Sequence, residues 1–279
     1  MLSPGGCGQN EDMSTVVVAA AQIRSGEDPR QNLELVERLT AEAVRQGAEL
    51  VVFPEATMAN FGVDQRTVAE PLDGPWANQV RRIARETGAV LVMGMFRPAD
   101  DGRVHNTLLL TDGMELDEHY DKIHLYDAFS TTESRRVAPG ERLVVVEALG
   151  IRIGLATCYD VRFADQFTAL GRAGAQLVCL PASWGAGPTK LEQWEVLVRA
   201  RALDSTCFVA AVDQADPSTI GFPTRGSAPT GIGHSLVVSP GGQVVDSLGA
   251  EPGLLVNDID VAEVDTVRRS IPVLANRRL

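Results

Sequence analysis

Three side chains in this sequence stand where buried strands should release the chain: Cys158 after IRIGLAT, Glu55 after ELVVFP, and Lys122 within YDKIHLYD. Residues at the carboxyl ends of strands in α/β folds face the crevice where ligands bind, so these positions suit chemistry. A thiolate is the best nucleophile among the common side chains, yet a free cysteine titrates near roughly 8.5 and stays mostly protonated at neutral pH. It needs a base or a cation beside it, and Glu55 and Lys122 supply one of each. During attack on an amide the carbonyl oxygen becomes an oxyanion, which the Lys122 ammonium and the backbone N–H of Tyr159 could hold. Glu55 could take the thiol proton, pass it to the departing amine and then activate water against the thioester. Each residue also has a plainer reading on its own. A lone cysteine often fills space in a core, Glu55 could be a solvated loop carboxylate, and Lys122 could be an edge-strand charge that discourages aggregation.

Other residues extend this group. His124 is a rival base, since residues two apart on a strand share a face and would put it beside Lys122; a Cys-His pair, however, would leave Glu55 and Lys122 without a task. Trp184 and His234 either shape a pocket or serve the core. If the chain turns into a helix after Cys158, Arg162 falls about one turn beyond the nucleophile, where a guanidinium could clamp a substrate carboxylate. Alternatively it pairs with Asp160 or Asp165 and holds the turn. None of this chemistry calls for a metal or an organic cofactor. Nucleotide motifs are absent in usable form: GIGHSL at Gly231 lacks the third glycine of a dinucleotide loop, GAGPTK at Gly185 does not fit a phosphate loop, and no GxSxG elbow occurs.

The elements that must hold these residues read as a layered α/β protein. TVVVAAAQI is a buried strand and DPRQNLELVERLTAEAVRQGA a helix, capped by Asp28 with Pro29 in its first turn, striped by Leu33, Val36, Leu39, Ala43 and Val44, and ended by Gly47. ELVVFPEATM is a strand, PWANQVRRIARETGA a helix and AVLVMGMF a strand. VHNTLLLT and ELDEHYDKIHLYD form a pair joined through Asp112-Gly113. In IRIGLAT, Ile151, Ile153, Leu155 and Thr157 alternate with Arg152, Gly154 and Ala156. The helix RFADQFTALGRAGA, the strand AQLVCLPASW, the long helix LEQWEVLVRARALDS and the strand CFVAAVDQ follow. GHSLVVSPGGQVVDSLG is a hairpin turning at Pro240-Gly241-Gly242, LLVNDIDVAEVDTVRRS a strand and a short helix, and IPVLANRRL an irregular tail. The βαβ order recurs in the two halves, so parallel and antiparallel strands should mix.

Composition bounds the partners. The 279 residues are 44% hydrophobic, enough for a large core. The net charge of -12 disfavours nucleic acid and anionic membrane surfaces, leaving a small molecule as the expected partner. Cys7, Cys158, Cys179 and Cys207 form no CxxC pair, which points to reduced thiols in a cytosolic, cytoplasmic protein and away from a metal site. No apolar run is long enough to span a bilayer, and MLSPGGCGQNED lacks the order of a signal peptide. Residues 1–13 read as a disordered lead, with Met13 an alternative start, and residues 14–279 as one domain.

Three segments in order, VVFPEATM, YDKIHLYD and LATCYDVRF, resemble the signatures of the nitrilase, or carbon-nitrogen hydrolase, superfamily, and the similarity continues through LPASW, QWEVLVRARALD, GHSLVVSPGGQVV and IPVLANRR. KIHLYD, CYDVRFAD and the IPV tail look most like the omega-amidase-like branch, which hydrolyses small amides of ω-dicarboxylic acids. The resemblance implies an αββα sandwich, commonly paired into a homodimer. It implies Cys158 as nucleophile, Glu55 as general base and Lys122 as oxyanion stabiliser. It also implies a second glutamate between the lysine motif and a Pro-Gly, and Glu133, before Pro139-Gly140, is the candidate. Two departures alter the expected pocket wall: Ala56 stands where that branch often has cysteine, and Gln193-Trp194-Glu195 replaces its HWE. The same scaffold also supports nitrile and carbamoyl-amine hydrolysis, acyl transfer, or a non-catalytic ligand-binding role.

Overall fold

A computed structural model describes residues 15–129, 131–222 and 229–278. The lead of residues 1–13, with Cys7 and Met13, therefore lies outside the described residues.

In chain order the first half runs β1 (Thr15–Gln22), α1 (Pro29–Arg45), β2 (Leu50–Val52), α2 (Pro75–Thr87), β3 (Val90–Pro98), β4 (Val104–Thr111) and β5 (Asp117–Asp121). The second half runs β6 (Val145–Ala148), β7 (Ile151–Leu155), α3 (Ala164–Arg172), β8 (Leu177–Ala182), α4 (Lys190–Ser205), β9 (Phe208–Asp213), β10 (Leu236–Val238) and β11 (Val244–Ser247). β12 (Gly253–Asp260), α5 (Ala262–Ser270) and α6 (Val273–Asn276) close the chain.

The strands make two six-stranded sheets, ordered β12-β1-β2-β3-β4-β5 and β11-β10-β9-β8-β7-β6. β1, β2 and β3 are parallel, as are β7, β8 and β9, while the flanking strands are antiparallel. Side-chain alternation assigns the layers. Val16, Val18 and Ala20 of β1 meet Ile151, Ile153 and Leu155 of β7 in a core between the sheets. Ala19 and Ala21 face the other way, onto Val36 of α1 and Val80 of α2. Ala156 and Val178 pack against Phe167 of α3 and Trp194 of α4. The fold is thus an αββα sandwich with mixed sheets. Its central strands are buried on both faces, which is why they read as unbroken apolar runs.

Local signals explain most boundaries. The Asp28 carboxylate accepts from Arg30 N at 2.9 Å, capping α1, and Pro29 opens the helix. Gly88, at φ 73°, closes α2 in the left-handed conformation.

Two expectations need correction, and one strand was not foreseen. β5 stops at Asp121, so Lys122 and His124 do not share a strand face. Lys122 stays paired through its backbone, donating to Asn106 O at 2.9 Å and accepting from Gly140 N at 2.8 Å, and the chain then turns away. The Cys158 strand has an antiparallel neighbour in its own right, β6, joined to β7 through Leu149 and Gly150, both at positive φ. The tail is not wholly irregular either: α6 forms where Leu274 packs over Gly171 and Arg277 pairs with Asp165 at 2.5 Å.

Candidate active site

Glu55 is delivered by a close approach of backbones. A Cβ on Gly94 of β3 would stand 2.4 Å from Ala56 N, so only glycine lets the chain after β2 run beside this strand. Gly94 N donates to Pro54 O at 3.2 Å and Met58 N donates to Gly94 O at 3.0 Å. Asn32 of α1, buried, fixes the far side of the same loop by donating to Met58 O at 2.9 Å. The Glu55 carboxylate is then fully engaged. Oε1 accepts from Asn106 Nδ2 at 2.7 Å and from Lys122 Nζ at 3.0 Å, while Oε2 accepts from Ser183 N at 2.9 Å.

Lys122 sits between two carboxylates, 3.0 Å from Glu55 and 3.0 Å from Glu133, with only 2% of its side chain exposed. Glu133 belongs to a short 3-10 turn, Glu133–Arg135, and its Oε2 also accepts from Tyr126 N at 2.5 Å. Cys158 opens a second 3-10 turn, Cys158–Arg162, directly after β7. Its φ of 45° is in the left-handed region, unusual for a residue with a side chain. The thiol points at Ser183 O, 3.8 Å away.

The turn is anchored from below by Asp160. Its carboxylate accepts from Tyr120 Oη at 2.6 Å, from Thr157 N at 2.8 Å, and from His124 N and Nδ1 at 3.0 and 2.8 Å. The His124 ring also stacks on Phe163, with centroids 3.6 Å apart. His124 thus braces the turn through its ring and its Asp160 bond, and it does not line the cavity described next.

Glu55, Lys122, Glu133, Cys158 and Trp184 open onto one cavity of about 340 Å³. Neither Tyr159 nor Arg162 is on its wall. Tyr159 packs edge-on to Tyr126 and Phe163. Arg162 donates from Nη2 to Gln193 at 2.7 Å and lies 5.0 Å from the ring centroid of the wall residue Trp184. It pairs with neither Asp160 nor Asp165. His234 does not line this cavity; its carbonyl accepts from Trp194 Nε1 at 3.0 Å.

Burial dominates the electrostatics. It raises Glu55, and the Lys122 ammonium pulls back without cancelling it. Burial also works against the Lys122 ammonium, but Glu133 and Glu55 overrule it and hold its pKa well above the usual range. Burial and the Glu55 charge push the Cys158 thiol well up, against the attraction of Lys122. The resting arrangement is a neutral thiol beside a poised carboxylate and a permanent cation. Such a site can take a proton from sulfur as the sulfur attacks, and can hold negative charge on an oxygen nearby.

Sequence reasoning missed several members. Asn106, a buried amide inside VHNTLLLT, was findable as a carboxamide in a largely apolar strand. Ser183 contributes its backbone, which leaves no signature in residue type. Asp213, at the end of β9, was also missed; its oxygens accept from Trp184 N at 2.7 Å and Ile232 N at 2.8 Å. Lys190 was passed over within GAGPTK and lines the cavity.

A fold of two face-packed mixed sheets flanked by helices, with a buried glutamate, lysine and cysteine at its strand ends, defines a class, and the family comparison agrees: the carbon-nitrogen hydrolase family model matches residues 17–269, and the chain belongs to that family. Among its relatives is a Mycobacterium tuberculosis protein named as a hydrolase, 57% identical and covering 93% of this chain and 95% of that one. The omega-amidase NIT2 of Mus musculus is 31% identical, covering 95% of this chain and 96% of its own. A mutant of the Nesterenkonia AN1 amidase, from the nitrilase superfamily, is similar in structure, with a TM-score of 0.79 at 29% identity and 94% of each chain covered.

Proposed function

We propose that the protein hydrolyses the C–N bond of small linear amides, releasing ammonia and a carboxylate through a thioester on Cys158. The observation that carries this reading is the bridge at Ser183. Its N–H holds Oε2 of Glu55 at 2.9 Å and its carbonyl takes the Cys158 thiol at 3.8 Å, so base and nucleophile are held by the main chain of one residue.

In the proposed sequence the Cys158 proton moves to Glu55 as sulfur adds to the amide carbon. The oxyanion falls beside Lys122 Nζ, which lines the cavity with Cys158. Collapse breaks the C–N bond, and Glu55 returns the proton to nitrogen, which leaves as ammonia. Water then loses a proton to Glu55, adds to the thioester and displaces the Cys158 thiolate, which recovers its proton. Glu133 keeps Lys122 charged and fixed through the cycle. No step draws on a metal or organic cofactor.

The omega-amidase relatives support an amide that also carries a carboxylate, with Trp184 as a wall and the Arg162 guanidinium supplying positive charge near it. A homodimer is part of the proposal: Val196 and Leu203 of α4 remain 62% and 47% exposed, although Trp194 of the same helix is buried in its own core. Ammonia release from a panel of amides, compared between wild type and Cys158→Ala, tests the reaction. Intact-mass detection of the acyl-enzyme tests the intermediate. Equal release by the two proteins would refute the assignment.

A further inference from the structure

Lys190 is the first residue of α4, and its side chain turns into the same cavity as Cys158. Only 7% of the residue is exposed. Its ammonium lies 3.6 Å from the Phe129 ring centroid, 5.5 Å from that of Trp184 and 5.8 Å from that of Tyr126. Among the described residues it has no carboxylate partner and no hydrogen-bond acceptor. Aromatic faces attract a cation but supply no hydrogen-bond acceptor, so the ammonium's N–H donors remain open to the cavity.

The rings aside, most of what surrounds this cation disfavours it. A helix N-terminus repels positive charge. Burial, and then the Arg162 guanidinium, lower its pKa. The neighbouring Thr189 adopts φ 59°, a left-handed conformation that costs a β-branched residue, in order to start the helix here. The ammonium on the cavity wall, the Arg162 guanidinium 5.0 Å from the Trp184 ring and the start of α4 thus lie near one another, and among the described residues no carboxylate pairs with the ammonium. Glu55 and Glu133 are already committed to Lys122.

We infer that Lys190 is the specificity-determining residue that receives a carboxylate on the substrate, remote from the amide that Cys158 attacks. This rests on the amidase reading and names the group that makes direct contact. The ligand class is a short aliphatic acid bearing a terminal amide, and after turnover the corresponding dicarboxylate. The rings serve as an apolar collar that excludes water from the ion pair.

The test compares succinamate, which carries the carboxylate, with butanamide, which does not. Lys190→Met keeps the aliphatic stem against the rings, and the bond from Trp184 Nε1 to the Lys190 carbonyl, 2.9 Å, does not depend on the side chain. Lys190→Met should raise KM for succinamate about 10- to 150-fold, the worth of a charge-assisted contact, with kcat changed far less. The succinamate-to-butanamide preference should fall by the same factor, and Lys190→Arg should retain most of it. Equal losses on the two amides, or an unchanged preference, would overturn the inference. A second arm needs no turnover: calorimetric binding of succinate to Cys158→Ala, with and without Lys190→Met. Weaker binding by a similar factor supports the assignment, and absent or unaltered binding defeats it. If neither amide is hydrolysed by wild type, the amidase reading fails while the binding arm still judges Lys190.

Discussion

Glu55 and Cys158, 103 positions apart in the sequence, meet on the two polar groups of a single residue: Ser183 gives its N–H to the glutamate and its carbonyl to the thiol. The relationship fixes their separation without a direct bond. It also explains why a neutral thiol is tolerable at rest, since Glu55 is held close enough to act yet turned toward other donors.

Cys158→Ala should abolish ammonia release and Cys158→Ser nearly so, because a hydroxyl is far less acidic than a thiol and this base cannot ionise it. Glu55→Gln should lower kcat about 10²- to 10⁴-fold, the usual range for a lost general base. The amide must also turn its NH₂ toward a donor, either Ser183 N or the Asn106 and Lys122 pair, so the variant should lose thermal stability. Unchanged kcat in Glu55→Gln would remove it from the chemistry.

Lys122→Met should be inactive and destabilised by roughly 3–5 kcal/mol, since it strands two buried carboxylates. Lys122→Met combined with Glu133→Gln should recover part of the stability and none of the activity. Denaturant titration and ammonia assays on both proteins separate the two roles. Recovery of activity in the double variant would mean that Lys122 acts only by balancing charge.

Gly94→Ala places a methyl group against backbone rather than a movable side chain. We expect a stability loss of about 1–3 kcal/mol from overpacking, with activity falling further than stability because Glu55 is displaced. Full activity in Gly94→Ala would show that the loop after β2 has another place to go.

Asp213 gives a pH signature. Burial pushes its carboxyl from an ordinary 3.8 up to about 7. A carboxyl raised on folding holds its proton in the native state after the unfolded chain has lost it. Its contribution is therefore complete below about pH 4 and is lost as pH rises through about 7, a swing of order 4 kcal/mol. Glu55, also raised, adds in the same sense. Asp213→Asn should flatten the fall in stability between pH 5 and pH 8, measured by urea denaturation. Parallel curves for the two proteins would contradict the shift.

Sedimentation velocity should show a species of at least twice the 29.9 kDa chain mass, and Val196→Glu on the exposed face of α4 should weaken it. A monomer with full activity at micromolar concentration would remove the dimer from the proposal.

The fold was legible where one physical signal sufficed. Alternation in IRIGLAT gave the inward face of β7, and Asp28-Pro29 gave the start of α1. The site was legible as far as residues at strand ends, because strand ends are local. It stopped being legible where position depends on distant chain. Asn32 and Ser183 act only because separate elements come together around the Glu55 loop. The shared strand face expected for His124 and Lys122 does not form, because β5 ends at Asp121 and the chain turns away after Lys122. Lys190 could not be distinguished from a solvent-facing lysine, since its direction follows from the strained residue before α4.

The recurrent βαβ halves have a consequence for assembly. Glu55 and Lys122 leave the first sheet, Cys158 and Ser183 the second, and the apolar core between the sheets, with bonds such as Ser183 N to Glu55 and Tyr120 to Asp160, brings the two groups within reach. Either half alone is chemically mute, however well its own strands pair. Turnover is thus a gauge of how the two sheets dock, and a refolding chain that regains its circular dichroism before its activity would be one whose halves have formed but not yet closed on each other.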